Sequence, residues 1–111
     1  MISHYSFGSI TIDGKKYEHD VIVSSSGVKS WWRATSHNVS MNDLDPILSE
    51  KPKLVIFGTG AAGVMEVAGE SEDHLEEQQI KVVIKKTADA IKEYNLRQSE
   101  PGVVGAFHLT C

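Results

Sequence analysis

Three glycines at alternating and then triple spacing, Gly58-x-Gly60-x-x-Gly63, follow directly on the apolar run Leu54-Val55-Ile56-Phe57. That spacing is the one with which a strand-to-helix turn cradles a dinucleotide: the third glycine opens a full helix, and an acid at the end of the next strand meets the ribose hydroxyls. The surroundings do not complete it. Gly69 interrupts the stretch that would be the helix, the next strand ends in Lys85-Lys86 instead of an acid, and the chain that follows is too short for a second mononucleotide half. A phosphate-binding loop of the Gly-Lys-Ser or Gly-Lys-Thr kind is excluded because neither follows. Two readings of the loop stay open. Its glycines allow a sharp turn at the end of a buried strand, with Ala61-Ala62 keeping the turn close-packed. Alternatively, backbone amides around Gly58, Thr59 and Gly60 form a nest for a small anion.

His108 and Cys111 invite a base-and-nucleophile reading. On an extended strand, however, positions three apart point to opposite faces, and a terminal carboxylate on Cys111 would oppose thiolate formation. A small packed residue at a strand end is the plainer account of the cysteine. The histidines at 4, 19, 37, 74 and 108 show no His-x-x-x-His spacing, and one cysteine offers no Cys-x-x-Cys, so no metal site is signalled. His108 stands out because it lies in the most apolar strand. Trp31-Trp32-Arg33 carries a different chemistry. Alternation sends Trp31 and Arg33 to one face and Trp32 to the other, so that one tryptophan packs inward while another accompanies the guanidinium. An exposed tryptophan beside an arginine has the composition of an interface hot spot or of a carboxylate-binding wall.

These candidates need elements to position them. An antiparallel N-terminal unit is expected from residues 2–12, an Asp13-Gly14 turn and a return arm from about Lys15 to Val23. Val28–Arg33 reads as a short strand. A helix of about three turns is expected between Ser40 and Glu50, with Ser40 or Asn42 as cap and Pro46 in the first turn, where its missing N–H does little harm. Leu54–Phe57 reads as a strand buried on both faces. Helices are expected over 71–79 and 87–95, the second with Ala90, Ile91 and Tyr94 inward, and strands over 80–84 and 103–109. From residue 40 the order is helix, strand, helix, strand, helix, strand. The expected fold is therefore α/β: one three-layer domain over residues 1–111, with a central mixed sheet, two to three helices and extra antiparallel strands at the N-terminus.

Composition narrows the function. A chain of 111 residues has room for a single core. With 11 basic against 15 acidic residues and no basic stripe, nucleic acid is not an expected partner. No apolar run approaches the ~20 residues of a membrane span. The start Met1-Ile2-Ser3-His4-Tyr5 lacks a basic and apolar leader, and the lone cysteine fits a reducing compartment, so a cytoplasmic location is expected. No cofactor is indicated.

Phe7-Gly8, Trp32-Arg33, Phe57-Gly58-Thr59-Gly60, Thr87 with Ala90, Tyr94-Asn95 and Phe107-His108-Leu109-Thr110-Cys111 together give the chain a resemblance across nearly its whole length. It resembles a family of small proteins of unknown molecular function, first described from an archaeal hypothetical protein. Relatives in that family include the adipogenesis-associated domain protein of animals and a mitochondrial complex I assembly factor. The resemblance implies a three-layer α/β fold and a glycine loop that is not a nucleotide site; its assembly-factor relatives act through protein partners, no enzymatic activity defines the family, and a role in complex I assembly does not carry over to this chain. Two functions are then weighed. One is an interaction or assembly module using a patch of Trp31, Trp32 and Arg33. The other is a binder of a small anionic ligand, or an enzyme acting on one, with Gly58, Thr59, Gly60 and Arg33 as holders and His108 as acid or base. The second requires these residues to converge on one concavity.

Overall fold

A short chain with scattered isoleucines near its start must find a cover for them. In the computed structural model, which describes residues 1–111, it folds three antiparallel strands into a small sheet of order β1 (Ile2–Ser6), β2 (Ser9–Ile12), β3 (Lys15–Tyr17). The β2–β3 reversal falls at Asp13-Gly14, where both residues adopt positive φ, 50° and 83°. A second reversal at Phe7-Gly8 divides the stretch 2–12, and it leaves no mark in the apolar pattern. The return arm expected to run from Lys15 to Val23 is divided too. β3 stops at Tyr17, and β4 (Val21–Ser24) belongs to another sheet. The break lies at Asp20, whose carboxylate is drawn sideways to accept from the amide of Leu109 at 2.8 Å.

The central sheet has the order β5 (Gly27–Ser30), β4, β10 (Val103–His108), β7 (Leu54–Thr59), β9 (Lys81–Lys85). β10 runs parallel to β7 and β7 parallel to β9, while β4 is antiparallel to both β10 and β5. Helices α2 (Gly69–Glu77) and α3 (Thr87–Arg97) make the two crossovers. A two-stranded parallel ladder, β6 (Asn38–Val39) with β8 (Glu66–Val67), lies apart. The mixed sheet and the N-terminal antiparallel strands are those expected.

Alternation along the buried strands builds a core on each face. Leu54 and Ile56 of β7 pack with Ala90, Ile91 and Tyr94 of α3 and with Ile2, Ile10 and Ile12 of the small sheet. Val55 and Phe57 face the other way, onto Trp31, Leu44, Ile47 and Leu75. Full burial of a side chain such as Phe57 or Phe107 stabilises by about 1.5–3 kcal/mol. The helix expected over 40–50 is shorter and of two kinds: a 3-10 turn at Met41–Leu44, then the single turn α1 (Asp45–Leu48). Pro46 is the reason, because it cannot donate to the Asn42 carbonyl as a continuous α-helix would require. Ser40 opens this segment as expected. Its N–H and hydroxyl both donate to the Asp43 carboxylate, at 2.8 and 2.9 Å.

Candidate functional site

The glycine loop launches no helix. After Gly60 the chain bends through residues 61–65 and enters β8, and α2 begins only at Gly69. The glycines instead admit close neighbours. A Cβ on Gly58 would lie 2.8 Å from Thr87 Oγ1 and 2.9 Å from the Phe107 ring, so glycine here lets the start of α3 rest on the sheet. Gly60, at φ 106°, faces the backbone of Cys111, which a Cβ would meet at 2.2 Å. Thr87 does not cap its helix. Its hydroxyl donates to the His108 carbonyl and accepts from the Gly60 amide at 2.8 Å, tying the loop to β10.

Of the amides expected to form an anion nest, that of Gly60 is taken by Thr87, and the amides that follow it are used internally as well. Ala61 N–H donates to the Thr110 carbonyl at 2.6 Å, and the Ala62 and Val64 amides both donate to Cys111 O, at 3.2 and 3.0 Å. Thr59 turns its hydroxyl onto the Lys85 carbonyl at 3.1 Å. The loop is thus closed over the segment 109–111.

Arg33 and His108 do come together, around a residue that sequence reasoning passed over. Asp20 Oδ2 lies 2.7 Å from His108 Nδ1 and accepts from Arg33 Nη2 at 2.6 Å, while Oδ1 accepts from the Leu109 amide. With a carboxylate at that distance, Nδ1 carries the ring proton and donates it to Asp20. The 3.1 Å approach of Arg33 Nη2 to the same nitrogen is then a contact between two donors. Arg33 also gives Nη2 to the Ser36 carbonyl at 2.6 Å, and its guanidinium lies over the Trp31 ring, Cζ 4.4 Å from the centroid. Nη1 has no acceptor, and attraction to the indole face offsets its burial. The His37 ring meets His108 edge-on, centroids 5.5 Å apart. Burial works against the Asp20 carboxylate, but hydrogen bonds from His108, Arg33 and the Leu109 amide outweigh it and hold its pKa below the ordinary range.

The cluster is interior. The side chains of Arg33 and His108 are 3 % and 4 % exposed, and Asp20 17 %. None of the five principal concavities is lined by Arg33, His108 or Thr110. Asp20, His108 and Thr110 follow one another in carboxylate, imidazole, hydroxyl order, with His108 Nε2 and Thr110 Oγ1 3.5 Å apart. Arg33 and His108 meet, but neither lines the groove that Thr59 lines, so the expected anion-holding set shares no concavity among these five. No group of three His, Cys, Asp or Glu side chains is placed to hold a metal ion.

Trp31-Trp32-Arg33 departs from the expected surface patch. Trp31 is 2 % exposed, with its Nε1–H donated to the Asp43 carbonyl and its ring 6.2 Å from that of Phe57. Trp31 and Arg33 share a side, as alternation requires, but that side is the core. Trp32 is the residue at the surface, 79 % exposed. The three lie beyond β5, which ends at Ser30, so the strand expected over 28–33 is shorter. The sequence could reveal the alternation, but not which side faced inward.

A small α/β domain whose mixed sheet is covered on both faces, and whose polar cluster is sealed, defines the class of protein. The chain belongs to the family described as protein of unknown function (DUF498/DUF598), whose model matches residues 2–109. Solved structures have the same fold. A conserved hypothetical protein, PH1505 of Pyrococcus horikoshii, is 27 % identical with TM-score 0.91, covering 100 % of this chain and 99 % of its own. A protein named MT938 is 31 % identical with TM-score 0.82, at 100 % and 98 % coverage. A structure described as an outer membrane protein from Bartonella henselae is 18 % identical with TM-score 0.82, at 99 % and 94 % coverage, and shares the fold. No helix here is long and apolar enough to cross a membrane.

Proposed function

We propose that the protein is a protein-interaction or assembly module acting in the cytoplasm, with Trp32 as its principal contact. The observation that carries this reading is the contrast within three consecutive residues. Trp32 is held out between two neighbours that are both fastened in the interior. An aromatic side chain on an immobilised backbone surrenders little entropy on binding and carries a large apolar area, which is why such residues dominate interface energetics. Trp31 and Arg33 become positioning residues for it. The resemblance to the adipogenesis-associated domain protein and to a complex I assembly factor supports the same reading.

The anionic-ligand alternative has less behind it, because the loop amides already donate to oxygens of residues 110 and 111. Affinity capture from native extract with the full chain as bait tests the module. Trp32→Ser is compared with Leu96→Ser, whose side chain is equally exposed. The expected result is loss of partners with Trp32→Ser that Leu96→Ser retains. Retention of every partner by Trp32→Ser would overturn the proposal.

A further inference from the structure

β9 is the outermost strand of the central sheet and has β7 as its single neighbour. Lys81 N–H donates to the Lys53 carbonyl at 3.0 Å, and Leu54 is its register partner. In a parallel ladder the pairing groups then belong to Lys81, Val83 and Lys85, and the N–H and C=O groups of Val82 and Ile84 point away from the sheet. Such an edge is a template for another strand unless something blunts it.

The side chains around this edge say which strand it accepts. Ile84, 41 % exposed, lies in a groove of about 450 Å³ with Met65, Val67, Thr59, Lys85 and Lys86, and with Glu66 at its rim. On the opposite face Lys85, Lys86, Lys92 and Leu96 line a second groove of about 660 Å³ together with Asp89 and Glu93. β9 itself carries Lys81 and Lys85 on one face, is followed by Lys86 and holds no acid, in a molecule whose net charge is −4. Of these, Lys85 has an ion-pair partner, Glu93 at 3.4 Å.

The same charges disfavour a second copy paired about Val83. Antiparallel pairing of β9 with β9 about Val83 sets Lys81 of one chain directly across from Lys85 of the other, a destabilising like-charge pair. We propose that the β9 edge receives an extended acidic segment of a different protein, added as a sixth strand. Its backbone pairs with Val82 and Ile84. Acids four residues apart face Lys81 and Lys85, and an intervening apolar side chain enters the groove over Ile84, Met65 and Val67. This border is distinct from the Trp32 surface, so the inference does not depend on the module proposed above.

The test uses the 15N-labelled full chain and an end-blocked synthetic peptide, Ser-Glu-Val-Thr-Val-Glu-Ser, with a control in which both glutamates are lysine. The acidic peptide is expected to shift and protect from hydrogen exchange the amides of Val82 and Ile84, with affinity that falls as salt rises. The double variant Lys81→Glu/Lys85→Glu, changed only at exposed side chains, should lose roughly tenfold or more in affinity for the acidic peptide and gain affinity for the lysine control. Trp32→Ser should bind as the unaltered chain does. Absence of perturbation at Val82 and Ile84 at millimolar peptide overturns the proposal. So does equal binding of both peptides, or perturbation centred on Trp32.

Discussion

Asp20 shows how one side chain can organise three segments. It receives the end of β10 through the Leu109 amide, the loop after β5 through Arg33, and a histidine from the sheet face. Replacing it with Asn leaves the buried guanidinium without its counter-charge, and Asp20→Asn is expected to lower unfolding free energy in urea by about 3 kcal/mol. Glu50 gives a contrast, because its partner Lys29, at 2.7 Å, stays in contact with water: Glu50→Gln should cost less than Asp20→Asn in the same assay. At Gly58 a methyl group would press on Thr87 and Phe107, and Gly58→Ala is expected to destabilise by about 1–3 kcal/mol in the same assay. Arg33 and His108 were legible as site candidates because a guanidinium and an imidazole stand out beside tryptophan and in an apolar strand. Asp20 was not, because an acid inside an alternating arm looks like any solvated strand residue. Only the fold reveals that the arm breaks there.

Elements were legible where periodicity was strong and boundaries were punctuated by glycine or proline. β7, β10 and α3 come directly from runs that must be buried on two faces or one. The helical segment within 40–50 is shorter than its pattern suggests because Pro46 can start a helical turn but cannot continue one that began at Met41. The hairpin β4–β5 has a further support that no pattern announces. Glu50, past α1, accepts hydrogen bonds from Lys29, Ser26 and Ser24, which lower its pKa to about 2. Asp20 is shifted in the same direction. A carboxylate whose pKa is lower folded than unfolded adds its full stability above the unfolded value, about 4, and loses it as pH falls through the folded value. The thermal midpoint should therefore be level above about pH 5 and fall between about pH 4 and 2. The fall should be shallower in Glu50→Gln, as read by circular dichroism across that range.

For the whole molecule, two apolar cores share one sheet. β7 and β10 each contribute alternate residues to both, so neither core can open without exposing the other. Phe57→Ala and Phe107→Ala, one in each core, are each expected to cost about 3–5 kcal/mol. Both should leave a single transition in which near- and far-ultraviolet signals coincide. Two separate transitions would show that the cores are independent.

The position of β10 bears on how the chain is made. Residues 103–108 fill the slot between β4 and β7, strands synthesised long before them. Until that stretch leaves the ribosome, β4 and β7 have no common neighbour, and the sheet edges and isoleucines on either side stand open to water. Folding must wait for a distant segment, which predisposes the nascent chain to slow closure and to capture by chaperones.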